Sequence, residues 1–233
     1  MNKFLYLHIP KTGGVTFRSI IENASPAEKI LHIKDPQSFS SFKSPELEAF
    51  SFIHGHLNIN QLTEVTSHKI ITTLRTPIER CISTYFFWKS LNPNDAIWSP
   101  KSVAAITASQ NLTLEEIIAS SENSTKMHFN NFQTRLLSGA SNQESTINDN
   151  HLRKAIDNLQ KIDFYGINSR LEESIDLLCF KYGLFRPATI QKLNASTHYI
   201  QINQDTKSML EELNDLDLQL LEWAEKEFDQ QRI

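Results

Sequence analysis

The sequence predicts an α/β fold in one domain, residues 1–233, with a central, mainly parallel sheet flanked by helices. Three observations carry this expectation. Short apolar runs rich in β-branched and aromatic residues alternate with segments of helical periodicity. No repeat of the length that builds solenoids interrupts that alternation. The 233 residues, 39% hydrophobic and 21% charged, hold enough apolar material for one large core and show no bias toward disorder. In open sheets of this kind ligands sit at the carboxyl ends of the strands.

Residues 4–9 are apolar and aromatic-rich and are closed by Pro10, which reads as a buried strand feeding a loop. After the loop, Phe17, Ile20 and Ile21 recur at helical spacing, so the chain opens as strand, glycine loop, helix. A second apolar run covers 52–57 and a third, β-branched, covers 69–74. Pro77 then suits the first turn of a helix running through Cys81, Tyr85 and Trp88. Further helices are expected over 113–120, where Thr113 is the N-cap and Glu116 completes a capping box, over 126–137, and over 151–161. Residues 163–167 read as another strand. The amphipathic helix that follows from Ser169 places Leu171, Ile175, Leu178 and Cys179 on one face and is stopped by Gly183. A last helix, 214–228, carries the stripe Leu216, Leu220, Trp223 and Ala224, while 90–102 and 138–150 read as loops.

Charge and composition narrow the partners. With 27 acidic against 23 basic residues the net charge is -4, so the overall field does not attract a polyanion and no nucleic-acid partner is expected. No apolar run approaches the roughly 18 residues that span a bilayer, and mean hydropathy is -0.36. The opening MNKFLYLHIP lacks a small-residue cleavage site, so the expectation is a cytoplasmic protein with no membrane span. Cys81 and Cys179 are too few for a disulfide framework or a zinc site and read as free thiols.

The chain has only six glycines, and three of them fall in HIPKTGGVTF and FIHGHL, which directs the search for chemistry to those segments. Gly13 and Gly14, between a strand and a helix, let backbone N–H groups approach an anion, and Lys11 adds a mobile positive charge. A tight turn with a solvated lysine has the same local pattern. The triphosphate-binding pattern G-x-x-x-x-G-K-[ST] is not met, because the lysine precedes the glycines, and no acidic residue ends KIITTLR. Both features disfavour magnesium-dependent ATP chemistry. His54 and His56 alternate at a strand end and so share a face. No third and fourth ligand stand at a metal-binding spacing, so no metal is expected. Arg75 ends the third strand, where it pairs with Glu79 or takes an anion.

The ordered motifs HIPKTGGVTF, FIHGH and TLRTPIERCISTYF resemble the sulfotransferases that use 3'-phosphoadenosine 5'-phosphosulfate (PAPS), particularly the heparan sulfate 2-O and 6-O branch and its bacterial relatives. NNFQTRLLSG is similar to a segment of the 6-O type, and FYGINSRLEESIDLL to the family's late strand and helix. The resemblance implies a P-loop-like, phosphosulfate-binding strand–loop–helix made by Lys11, Thr12, Gly13, Gly14, Val15 and Thr16, with Val15 where Thr or Ser is usual. It implies that Lys11 neutralises charge on the bridging oxygen as sulfur leaves. Arg75 and Ser83 would hold the 3'-phosphate, with Thr76 where Asp is common, and Asn194, Ser196 and Thr197 would belong to a loop closing over the donor. His56 matches the family's general base, and His54 would orient it or the acceptor. Asn130, Asn131, Gln133 and Arg135, on the helix expected over 126–137, either line the acceptor cleft through hydrogen bonds or form an exposed helix face. The activity implied is transfer of a sulfuryl group from PAPS, leaving 3',5'-ADP, to a hydroxyl of a carbohydrate or other small acceptor by in-line displacement. The acidic net charge argues against a densely sulfated polymer. An ATP-dependent, kinase-like phosphotransferase and a nucleotide-binding module without turnover share the same opening elements.

Overall fold

Five strands, β1 (Phe4–Leu7), β2 (Ile30–Ile33), β3 (Phe52–Gly55), β4 (Lys69–Leu74) and β5 (Phe164–Ile167), pair in the order β2-β3-β1-β4-β5. Every pairing is parallel. The computed structural model describes residues 2–33, 39, 41–65, 67–95, 98–120, 123–140, 146–190 and 202–232. Parallel neighbours need crossover connections, and these carry helices that cover both faces of the sheet, which is why the β1 sequence FLYL is apolar throughout and buried at all four positions. Alternation then divides the strand residues between two cores. Phe4, Tyr6, Phe52 and Phe164 pack with Phe17, Ile20 and Ile21 of helix α1 (Gly14–Asn23) on one face. Leu5, Leu7, Ile53 and Ile167 pack with residues of the C-terminal helices on the other. Burial of a side chain such as Phe17 stabilises the fold by roughly 1.5–3 kcal/mol.

The chain continues through α2 (Ser44–Leu47), α3 (Pro77–Lys89), α4 (Pro100–Asn111), α5 (Leu114–Ala119), α6 (Asn123–Lys126), α7 (Phe132–Ser138) and α8 (Asp149–Lys161). It closes with α9 (Leu171–Tyr182), α10 (Gln204–Leu213) and α11 (Asp215–Phe228). The expected Thr113–Glu116 capping box is formed, and Gly183 ends α9 with φ +64°. From β1 the chain leads to the edge strand β2, whereas from β4 it leads to β5 at the opposite edge. The connections therefore part above β1 and β4, and a crevice at their carboxyl ends is the ligand position that this topology favours. Cys81 and Cys179 are buried free thiols. Among the described residues no helix is long and apolar enough to cross a membrane.

The segment 126–137 is not the continuous helix its pattern suggested. A 3-10 turn, Met127–Phe129, follows α6, and Asn131 adopts φ +45° before α7 begins. Tertiary hydrogen bonds hold this break: the Asn131 N–H donates to Asn214 Oδ1 at 3.1 Å, and Asn131 Oδ1 accepts from the Asp217 N–H at 2.9 Å. Five elements were not expected: the short helices α2 and α6, the edge strand β2 with only Ile33 buried, α4, which starts at Ser99–Pro100 inside the stretch read as a loop, and α10, which buries only Thr206 and Leu210.

Candidate active site

The first loop is built on two glycines for steric reasons. Gly13 takes φ +88°, and a Cβ there would stand 2.2 Å from Asn168 Nδ2. A Cβ on Gly14 would stand 2.2 Å from the Tyr6 hydroxyl and 2.7 Å from His8 Cδ2. Lys11, with φ +68°, turns the chain ahead of them. α1 therefore starts directly over the end of β1, with no side-chain cap and no acidic residue in its first turn. Its leading N–H groups and the positive end of its dipole suit an anion.

The side chains of the loop divide into two groups. Thr12 is buried: its hydroxyl donates to Ile9 O at 2.8 Å and pairs with Thr73 Oγ1 at 2.8 Å, which pairs in turn with the Tyr6 hydroxyl at 2.6 Å. That chain of hydroxyls ties the loop to β4, so Thr12 can meet a ligand only through its backbone. Thr16 is also buried, and its N–H donates to Gly13 O at 3.2 Å, while Val15 is half-buried. Lys11 instead reaches outward, with Nζ 4.2 Å from the centre of the Phe87 ring. Burial, and then the neighbouring Arg75 charge, lower its pKa from 10.5.

Arg75 leaves β4 beside this loop. Its Nη1 donates to Lys11 O at 3.2 Å and its Nε to Glu79 Oε2 at 3.3 Å, so the expected pairing with Glu79 is present and one face of the fork is tied to the loop. Ser83, on α3, is 5% exposed.

The histidines share the face that Tyr6 and Phe52 define, as alternation required. His56 lies just beyond β3 and is exposed; its Nδ1 donates to His8 O at 3.1 Å, and its ring stacks on that of His8 with centres 4.7 Å apart. A carbonyl only accepts, so Nδ1 carries the proton and Nε2 is left as the basic nitrogen. Surrounding protein lowers the His56 pKa from 6.5, with the His8 carbonyl pulling in the opposite direction. His54 is buried and stacks on His32 and Phe52. Its Nε2 lies 3.4 Å from Glu22 Oε1, a contact that favours the charged ring, yet burial and the charges around it lower the pKa to about 3. The His54 side chain is 3% exposed while Glu22 is partly in water, so the neutral ring is the form the site holds.

The helix face expected to line an acceptor cleft is mostly buried. Gln133 is 1% exposed and Arg135 2% exposed, so neither belongs to the exposed helix face that was the alternative to a cleft lining. The Gln133 amide is occupied by the Arg75 backbone, accepting from its N–H at 3.0 Å and donating to its carbonyl at 2.9 Å. Asn130 is half-buried, and its Oδ1 accepts from Asn131 Nδ2 at 3.3 Å. Asn194, Ser196 and Thr197 lie outside the described residues. The His8 carbonyl, Phe87 and the Tyr6 and Thr73 hydroxyls were not singled out from the sequence, and no local pattern marks them. Among the described residues no cluster of three or more His, Cys, Asp or Glu is arranged to hold a metal.

No curated protein matches the sequence. The profile of the sulfotransferase family matches residues 1–228, a span that contains the glycine loop, both histidines, Arg75 and Ser83. With nearly its whole length inside that match, the chain belongs to the sulfotransferase family.

Proposed function

We propose that this single-domain sulfotransferase uses PAPS as donor and a hydroxyl of a carbohydrate or other small molecule as acceptor, with His56 as general base. The observation that carries this reading is the convergence of the two ends of the chemistry on residues 8–11: His8 O fixes the His56 tautomer, and Lys11 O fixes the Arg75 fork. When bound, PAPS supplies an activated sulfuryl group, and 3',5'-ADP is the product that remains.

The residues present suit such a donor. The glycine positions that a Cβ would fill bring the α1 amides close to a 5'-phosphosulfate, and Arg75 with Ser83 offers charge and a hydroxyl to a 3'-phosphate. Lys11 adds positive charge where the donor's bridging oxygen would gain negative charge. On the acceptor side, neutral His56 takes the hydroxyl proton at Nε2, and His54 orients it or the acceptor. Asn130 is the member of its group that remains partly exposed to meet an acceptor. The net charge of -4 favours a neutral or lightly charged acceptor over a densely sulfated one.

Calorimetry with 3',5'-ADP and ATP tests the donor. Binding of 3',5'-ADP without magnesium, together with a loss of about 1.5–3 kcal/mol in Arg75→Ala, is expected for a hydrogen-bonded phosphate charge. Preference for magnesium-ATP, with 3',5'-ADP unbound, would replace this reading with the phosphotransferase. Turnover is tested with labelled donor across a panel of hydroxyl acceptors, and binding without any turnover would leave a nucleotide-binding module.

A further inference from the structure

We propose that Gln133 is a positioning residue that sets the aim of Arg75; the inference rests on reading Arg75 as the ligand of the donor's 3'-phosphate. Arg75 occupies the gap between the last residue of β4, Leu74, and the first of α3, Pro77. The Gln133 amide binds the backbone there as a neighbouring strand would, with Oε1 accepting the Arg75 N–H at 3.0 Å and Nε2 donating to Arg75 O at 2.9 Å. Both bonds together allow one orientation of the amide only, since the N–H needs an oxygen and the carbonyl needs an N–H. They hold the peptide groups on both sides of the Arg75 Cα and thereby fix the direction in which its side chain leaves the backbone. The Lys11 carbonyl and Glu79 then hold the guanidinium itself.

Gln133 is in turn held from the far end of the chain. Both Asp217 carboxylate oxygens accept backbone N–H groups of α7, from Gln133 at 3.1 Å and from Thr134 at 2.7 Å. The Asp217 N–H donates to Asn131 Oδ1, the Asn131 N–H donates to Asn214 Oδ1, and Asn214 Nδ2 donates to the Phe129 and Leu210 carbonyls at 2.8 Å each. Asn214 and Asp217 are wholly buried, so water does not compete for these bonds. The C-terminal helices thus reach the donor side through one buried polar path that ends on the Arg75 backbone. An apolar side chain at 133 could fill the same space but could not orient a peptide group. The arrangement delivers a pre-aimed guanidinium, which spares the ordering of a loop when the phosphate arrives.

The test compares 3',5'-ADP with 5'-AMP, which lacks the 3'-phosphate, by calorimetry on the full chain. Gln133→Met, close in volume but unable to make either bond, is expected to weaken 3',5'-ADP about tenfold to thirtyfold while leaving 5'-AMP unchanged. In an Arg75→Ala background the same substitution should cost nothing further. Should Gln133→Met fail to fold, Asp217→Asn loosens the support of Gln133 and should give a smaller loss, again confined to 3',5'-ADP. Equal losses for both nucleotides, additivity with Arg75→Ala, or unchanged 3',5'-ADP affinity while Arg75→Ala is weakened would overturn the inference alone. Unchanged affinity in Arg75→Ala would refute the phosphate-ligand reading, and the inference with it.

Discussion

Acidification from pH 7 to pH 5 should cost the folded state about 2 kcal/mol through His54 alone. In the unfolded chain this imidazole titrates at its ordinary 6.5, whereas in the folded chain it stays neutral down to about 3. Between those values the unfolded chain holds a proton that the folded chain refuses. Stability is therefore intact above pH 6.5, falls as pH drops below it, and levels off near pH 3. The slope is about 1.4 kcal/mol per pH unit, and pH 5 lies one and a half units below the unfolded value, which yields the figure above. Against a typical stability of about 5–15 kcal/mol this is a substantial loss. Urea unfolding at both pH values, on the wild type and on His54→Gln, isolates the contribution: glutamine keeps an N–H for Glu22 and does not titrate. His8, His56, His68 and His128, whose pKa values are also lowered by burial, titrate in both proteins and cancel in the comparison. The wild type should lose about 2 kcal/mol more than the variant. Equal losses would refute the argument, and a wild type that gains stability in acid would show that Glu22, 3.4 Å away, holds the ring protonated.

His56→Ala should lower kcat by about a hundredfold to ten-thousandfold and leave the 3',5'-ADP affinity near wild type, and full activity on a verified acceptor would remove the histidine from the mechanism. With neutral His56 as the proposed base, the pH profile of kcat/KM should rise on the acid side of pH 6.5, because the His56 pKa is lowered. Its alkaline limb should fall below 10.5, as Lys11 loses its proton early; in Lys11→Ala that limb should vanish and turnover should drop more than donor affinity, and persistence of the limb would place it on another group. Gly14→Ala should destabilise the protein by roughly 1–3 kcal/mol, since the new methyl meets the Tyr6 hydroxyl and the His8 ring, and should weaken 3',5'-ADP with it. Unchanged melting and binding in that variant would show that the loop does not need glycine.

Much of the frame was legible because local chemistry forces it. Strands buried on both faces must be short apolar runs, which exposes β1, β3, β4 and β5 in the linear pattern. β2 escaped because ILHI at the sheet edge keeps two half-buried residues and an exposed His32. α10 escaped because a largely solvated helix buries few residues, here only Thr206 and Leu210, and so shows little apolar periodicity. The break at Asn131 was invisible for a different reason: its partners, Asn214 and Asp217, lie more than eighty residues away along the chain.

The same division runs through the site. Sequence alone marked the glycine loop, Lys11, the paired histidines and the arginine at a strand end as candidates, because glycine where backbone must approach closely, cations where strands end, and period-two alternation are constraints that neighbouring residues impose on one another. Tertiary structure alone decided that Thr12 is a lock beneath the loop, that the His8 carbonyl sets the His56 tautomer, and that Gln133 serves the Arg75 backbone instead of an open cleft. Those assignments are hydrogen bonds spanning 61, 48 and 58 residues. A buried polar group must find a partner, but which partner it finds depends on how the crossovers and helices pack, and no spacing along the chain records that.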